Sequence, residues 1–396
     1  MASLAFLFGM IPDTEKVESA DDQLRSDLKA YREYEQSDEL EHFLALEKEV
    51  TSADFAVRKK KIKKEKYKAS EEYRKELRLK QLKKKLKKDE APSEEITSLE
   101  KEINSDAFQK RKLYLMMKPA ARYETTDTYQ KEQEYEALKK SDKVVWYFKT
   151  KKKYPFKEIE RWEETFNESF EGSGLDKKRW MTRYYWGDAI LDEPYTMADE
   201  KSFPTDGKNV EFYDKKLRLV TKQEVTEGKK WDPVHGFLQD TFEYSSALIS
   251  TGKSFRQKFG LFKAKIRMSA SDVSQAFWMV SDGLVPHIDV AKYEKGKLYS
   301  NYFWLASEGE PPSRSVTKSG GSKFTGDFFI FSLEWSPGKM VWKINDKVFK
   351  TQTTGVPQDA MYMVFSTALK EWGSDYGLPA AMEVDWIRVY KLRDQE

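Results

Sequence analysis

From Leu24 to Lys140 apolar residues recur every three or four positions among Lys, Glu and Arg, with no glycine and only Pro92 and Pro119 as helix breakers. This pattern predicts amphipathic α-helices. Six serines mark their starts: Ser37-Asp-Glu-Leu, Ser52-Ala-Asp-Phe, Ser70-Glu-Glu-Tyr, Ser93-Glu-Glu-Ile, Ser105-Asp-Ala-Phe and Ser141-Asp-Lys-Val. In each, the hydroxyl can accept a hydrogen bond from a free backbone N–H of the first turn, and nearby carboxylates favour the positive end of the helix dipole. The segment LEKEVTSADFAVRKKKI from Leu46 recurs 53 residues later as LEKEINSDAFQKRKLYL from Leu99, with eight identities in seventeen positions. Leu46 matches Leu99, Val50 matches Ile103, Phe55 matches Phe108 and Ile62 matches Leu115, so the repeat preserves an apolar face. Stacked helix-turn-helix units follow, each burying that face on a neighbour, and such an array suits a stalk or spacer.

Beyond Tyr154-Pro155 the period changes to two. Phe329–Trp335, Met340–Ile344, Tyr362–Ser366 and Met382–Tyr390 are short alternating or apolar runs, and Ser336-Pro337-Gly338 and Asn345-Asp346 supply turns between them. Many such strands in succession predict one large antiparallel sandwich of jelly-roll type. The chain thus reads as multidomain: an apolar N-terminal segment (1–20), an all-α charged helical repeat domain (21–153) and an all-β sandwich (156–396).

Charge sharpens this division. The net charge is only +3, yet Arg58 to Lys88 holds 17 Lys or Arg against 4 Asp or Glu, which leaves the rest of the chain near −10. Phosphate neutralisation by such a run could supply affinity for nucleic acid. Against this, Ile62, Tyr67, Tyr73, Leu77, Leu79, Leu82 and Leu86 recur within it at mostly helical spacing, and no base-reading motif accompanies them. The run reads as the solvated face of amphipathic helices, with a protein partner favoured over nucleic acid. No cysteine is present, so neither disulfides nor thiolate ligands contribute, and with only His42, His235 and His287 a zinc site is not expected. The opening MASLAFLFGMIP has no Lys or Arg ahead of its apolar run and no small-residue cleavage site, and it is shorter than the roughly 20 residues of a membrane span. It reads as neither a secretory signal nor a transmembrane helix: the functional reading is a docking or assembly segment, and the alternative is a frayed terminus.

The strand region contains a series of motifs in fixed order. Phe170-Glu-Gly-Ser-Gly-Leu-Asp176 with Trp180 is followed by Lys216-Leu-Arg-Leu219, Ile249-Ser-Thr-Gly-Lys253, Phe259-Gly-Leu-Phe-Lys-Ala-Lys-Ile266 and Ala276-Phe-Trp-Met279. Phe331-Ser-Leu-Glu-Trp335-Ser-Pro-Gly-Lys339 and Glu383-Val-Asp-Trp-Ile-Arg-Val-Tyr390 close it. In this order the motifs resemble family 16 glycoside hydrolases, the laminarinase, agarase and carrageenase group, and imply a concanavalin A-like jelly roll. The resemblance places the catalytic strand at Pro286-His-Ile-Asp-Val-Ala-Lys292. The family pattern there is Glu, one residue, Asp, two residues, Glu, with a β-bulge returning the third carboxylate to the face of the first two. Here His287 and Lys292 stand at the two Glu positions and only Asp289 is retained. A retaining mechanism requires two carboxyls about 5 Å apart, so no catalytic residue is expected and hydrolysis by that route is not. An enzyme would need a rearranged carboxylate pair, Asp289 with Glu294, Glu308 or Glu310.

Sugars bind through aromatic faces and a few convergent polar groups. The candidates in the implied cleft are Trp186, Trp278, Tyr293, Tyr302, Trp304 and Trp372, while Trp335 and Trp386 are assigned to the core. Lys292 beside His287 and Asp289 favours an anionic ligand. The resemblance also implies a structural calcium on the opposite side of the sandwich, near Gly172 and Asp385, and no other cofactor. Together these readings predict a non-catalytic carbohydrate-binding or adhesion protein, with polysaccharide or glycan as ligand and protein partners for the helices. Display at a cell surface or in a phage virion would suit it. The alternatives are a structural assembly component with the sandwich as decoration, and an active endo-glycosidase.

Overall fold

Each of the six serines caps a helix. In the computed structural model, which describes residues 11–87, 91–307, 309 and 311–393, their hydroxyls accept from the backbone N–H three residues on: Leu40, Phe55, Tyr73, Ile96, Phe108 and Val144. Each such cap stabilises a helix by about 1 kcal/mol. Thr126 caps a further helix through Tyr129 N–H. The two copies of the repeat fold alike: Thr51 and Asn104 close the first helix of each copy, and Ser52 and Ser105 open the second. Phe55 and Phe108 are buried at equivalent places. Arg122, on the helix Pro119–Glu124, is itself buried and ties the copies together. It donates to Ile62 O (3.0 Å), Glu65 O (2.7 Å) and Leu115 O (3.2 Å), carbonyls that a helix C-terminus leaves without intrahelical partners. Ile62 and Leu115 are matching repeat positions.

The chain divides into two compact units, Arg25–Phe156 and Lys157–Glu396, the second including the segment up to Leu24. Relative to the boundaries read from sequence, residues before Arg25 group with the sandwich; the first ten lie outside the described residues. Within that unit Thr14 Oγ1 donates to Phe328 O at 2.6 Å, and Glu18 accepts from Trp386 Nε1 at 2.8 Å. Among the described residues no helix is long and apolar enough to cross a membrane.

The sandwich strands are β1 (Trp162–Glu168), β2 (Tyr195–Thr196), β3 (Ser202–Pro204), β4 (Val210–Tyr213), β5 (Lys216–Asp232), β6 (Gly236–Ser250), β7 (Gly260–Arg267), β8 (Ser274–Val280), β9 (His287–Glu294), β10 (Lys297–Trp304), β11 (Ser313–Gly320), β12 (Phe328–Ser336), β13 (Lys339–Ile344), β14 (Lys347–Gln352), β15 (Tyr362–Ala368) and β16 (Ala380–Leu392). The front sheet runs β11-β10-β9-β8-β15-β6, and the long β5–β6 hairpin leads into the back sheet β5-β16-β7-β12-β13-β14. Strand alternation decides what lies between them. On β7, Phe262, Ala264 and Ile266 face the core, and they meet Ile288, Leu298, Phe365 and Leu333 from the other strands. The intervening Lys263, Lys265 and Arg267 each pair with a carboxylate, of Asp346, Asp385 and Glu383 respectively. The predicted all-α then all-β order is the observed one.

Candidate functional site

The site is made by one irregularity on the front sheet. In the antiparallel β8–β9 ladder Phe277 lies opposite Ala291 and Trp278 opposite Asp289, which leaves Val290 as an extra residue on β9. A bulge of this kind shifts the alternation by one. His287, Asp289 and Lys292 therefore share one face although their spacing is two and then three, and all three line a cavity of about 190 Å³. Small residues opposite them make the room: Ser274 and Ala276 on β8, Ser366 and Ala368 on β15. Trp278 forms one wall, with its indole N–H donating to Ser366 Oγ at 3.0 Å and its ring stacked on the His287 imidazole at 4.8 Å and 17°.

Asp289 is the fixed charge of the site. Its side chain is only 4 % exposed, and its two oxygens meet His287 Nε2 at 2.9 Å and Asn301 Nδ2 at 2.7 Å. Burial by itself would push this carboxyl up. The His287 ring, the Lys292 charge and the Asn301 amide outweigh that and hold it at about 2, so it is an anion at neutral pH. Lys292 is bound in turn to Glu294 at 3.0 Å. Across the cavity Glu200 is buried and fully engaged, accepting from Tyr184 Oη (3.0 Å) and Met197 N–H (3.2 Å), with the Lys370 ammonium at 3.0 Å. Each carboxylate thus has its own partner. Glu308 and Glu310 lie outside the described residues.

The structure separates the predicted aromatic contacts. Trp278 lines the cavity. Trp372, 39 % exposed, carries the Lys295 ammonium over its ring at 4.6 Å, outside the cavity lining. Trp186, on the short helix Tyr185–Leu191, packs on Trp231 at 4.9 Å in an aromatic cluster with Tyr195 and Phe237. Tyr293, Tyr302 and Trp304 require correction, because all three point inward. The bulge that turns Lys292 outward turns Tyr293 into the core, and on β10 the outward parity belongs to Tyr299, Asn301 and Phe303. Tyr302 donates to Gly355 O, and Trp304 stacks on it at 4.9 Å. Asn301, Glu200 and Lys370 were not anticipated. The alternation of β10 carried the signal for Asn301; Glu200 and Lys370 arrive from loops with no local pattern.

The implied calcium does not fit the residues present. Asp385 lies 2.8 Å from the Lys265 ammonium, which also binds Glu18 at 2.7 Å, while Gly172 is exposed. Burial opposes the Lys265 charge, but Asp385 and Glu18 raise its pKa above the ordinary range, so a cation already sits at this carboxylate. Among the described residues no group of three or more His, Asp or Glu could hold a metal ion.

The fold is thus a two-sheet jelly roll that carries this row on the outer face of its front sheet. More particularly, residues 197–388, most of the C-terminal unit, match the sequence model of glycosyl hydrolases family 16. Similar solved structures include the catalytic domain of an endo-1,3-β-glucanase (laminarinase) from Thermotoga petrophila RKU-1, at 18 % identity over 59 % of this chain and 99 % of that one, with a TM-score of 0.48. The endo-β-1,3-glucanase of Pyrococcus furiosus has 21 % identity over 59 % and 96 % of the two chains, TM-score 0.47. The κ-carrageenase of Pseudoalteromonas carrageenovora has 17 % over 58 % and 94 %, TM-score 0.47. No curated protein matches the sequence.

Proposed function

We propose that the sandwich binds a polysaccharide without hydrolysing it. The observation that carries this reading is the bulged row itself. The bulge at Val290 brings three side chains to one face, as a retaining carboxylate pair and its tuning Asp would need, but those side chains are His287, Asp289 and Lys292. One carboxylate among three cannot both attack the anomeric carbon and protonate the leaving oxygen. Asp289, held ionised at about 2, cannot serve as the acid near neutral pH. Glu294 and Glu200 are occupied by Lys292 and Lys370. What remains is a polar pocket with one tryptophan wall, smaller than the roughly 300–1,000 Å³ of most ligand sites. It suits one sugar ring or substituent, with the rest of a bound chain on the open sheet.

Prolonged incubation with laminarin, agar and carrageenan tests this. No new reducing ends are expected, while one of the glycans quenches Trp278 fluorescence, a change lost in Trp278→Phe. Reducing ends that form with the wild type and vanish in Asp289→Asn would establish the glycosidase instead.

A further inference from the structure

Resting on the glycan-binding reading, we infer that the ligand is a polyanionic polysaccharide, whose carboxylate or sulfate groups are taken by a row of cations crossing β9, β10 and β11. Directly opposed residues of an antiparallel pair share a face. Lys292 lies opposite Tyr299, Tyr299 opposite Lys318, His287 opposite Phe303 and Phe303 opposite Arg314, so all six share the face of Asp289. Lys297, two residues before Tyr299 on β10, adds a fourth cation to this face. Against Lys292, Lys297, Arg314 and Lys318 stand, among the described residues, the buried carboxylate of Asp289, engaged by His287 and Asn301, and that of Glu294, already bound to Lys292. The half-buried rings of Tyr299 and Phe303 lie between them.

Most cations on the outer face of the back sheet, by contrast, are paired. There Lys263, Lys265, Arg267 and Lys343 are each paired with a carboxylate. On the front sheet Lys297, Lys318 and Arg314 have no carboxylate within 4.0 Å among the described residues, and the latter two project from an edge strand into solvent. Arg314 and Lys318 are four residues apart, roughly 13 Å along the strand. That spacing suits charges repeated along an extended chain, and the rings between offer stacking faces for its sugars. Arg314 presents a planar fork that fits carboxylate and sulfate alike.

The test uses the full chain in affinity electrophoresis through dextran sulfate, polygalacturonate, neutral dextran or laminarin, with a DNA duplex as a third polyanion. The helical unit is itself basic, so Lys80→Glu/Lys84→Glu/Lys85→Glu serves as a control. Dextran sulfate or polygalacturonate should retard the wild type and the control equally, and Arg314→Glu/Lys318→Glu should weaken that at least about tenfold. Arg314→Ala/Lys318→Ala, with an unchanged circular dichroism spectrum, should show a smaller loss of the same kind. Whichever of the two polymers retards more identifies sulfate or carboxylate. Loss in the helical control but not in the β11 variants, or retardation by DNA alone, overturns the inference. Retardation by laminarin but by neither anionic polymer overturns it while leaving glycan binding intact; no retardation by any glycan sinks both.

Discussion

Replacing Asp289 by Asn should destabilise the sandwich by about 2 kcal/mol at pH 7, and the size follows from the site. The native carboxyl is held at about 2 against an ordinary value of 3.8. The folded state therefore binds fewer protons there than the unfolded chain, so this group's contribution is complete above about pH 4 and is lost as pH falls through 2. A shift of nearly two units at about 1.4 kcal/mol each gives roughly 2 kcal/mol. An amide at 289 removes this term and adds a mismatch, since the Asn301 amide nitrogen, now 2.7 Å from Oδ2, would meet a second donor or force the new amide's N–H groups toward His287. Ten of the eleven tryptophans lie beyond Arg161, so indole fluorescence during urea unfolding reports chiefly on the sandwich. At 2–4 °C per kcal/mol for a unit of this size, a drop of about 4–8 °C in midpoint temperature is expected near neutral pH, narrowing toward pH 2. Equal stability of the two proteins at pH 7, or a deficit that does not shrink in acid, would refute the electrostatic account of the Asp289 cluster.

Other consequences are equally open to measurement. Lys350 is buried with its ammonium on Ser300 O (3.0 Å) and Ser315 O (2.8 Å), and burial lowers it to about 8 despite the opposing pull of Asp289. Its depressed value means stability rises with pH between about 8 and 10.4, by on the order of 2 kcal/mol, and Lys350→Met should flatten that rise in urea titrations. Arg122→Ala strips partners from helix carbonyls in both repeat copies and should cost the helical unit about 3 kcal/mol, read as lost helical circular dichroism at lower denaturant. Ser105→Ala removes one cap and should cost about 1 kcal/mol by the same assay, with Ser105→Asp restoring it.

Much of this architecture was legible in the sequence because it is written locally. A serine cap needs one hydroxyl and the N–H three residues on, and a strand needs alternation; both sit within a few positions, so six helix starts and the order of the sandwich motifs could be read directly. The repeat gave one long-range fact, and Arg122 explains why: a single buried guanidinium takes carbonyls from matching positions of both copies. Sequence proximity failed for Tyr293, Tyr302 and Trp304, which lie beside the site residues in the chain but on the other face of the sheet. A side chain's face depends on parity, and one extra residue at Val290 reverses it for everything after.

That reversal also makes the shape of the row independent of the side chains it carries at its two ends. The bulge is a property of the ladder between Phe277 and Ala291 on one side and Trp278 and Asp289 on the other, so it depends on backbone pairing and not on what 287 or 292 carries. The core beneath belongs to the opposite parity, to Ile288, Ala291 and Tyr293, and does not feel a change on the outer face. The central position is different. Asp289 Oδ2 accepts the Asn301 amide from β10, and its backbone carbonyl accepts from the Trp342 indole on β13, so position 289 joins the front sheet to the core. A carboxylate buried there needs a cation or a donor beside it, and His287 and Lys292 supply both. Substituting glutamates at 287 and 292 would withdraw that support and set three carboxyls on one face, which only shared protons could relieve. Asp289 beside His287 and Lys292 is thus an electrostatic arrangement complete in itself, in which the buried carboxylate is balanced by its own neighbours on the row.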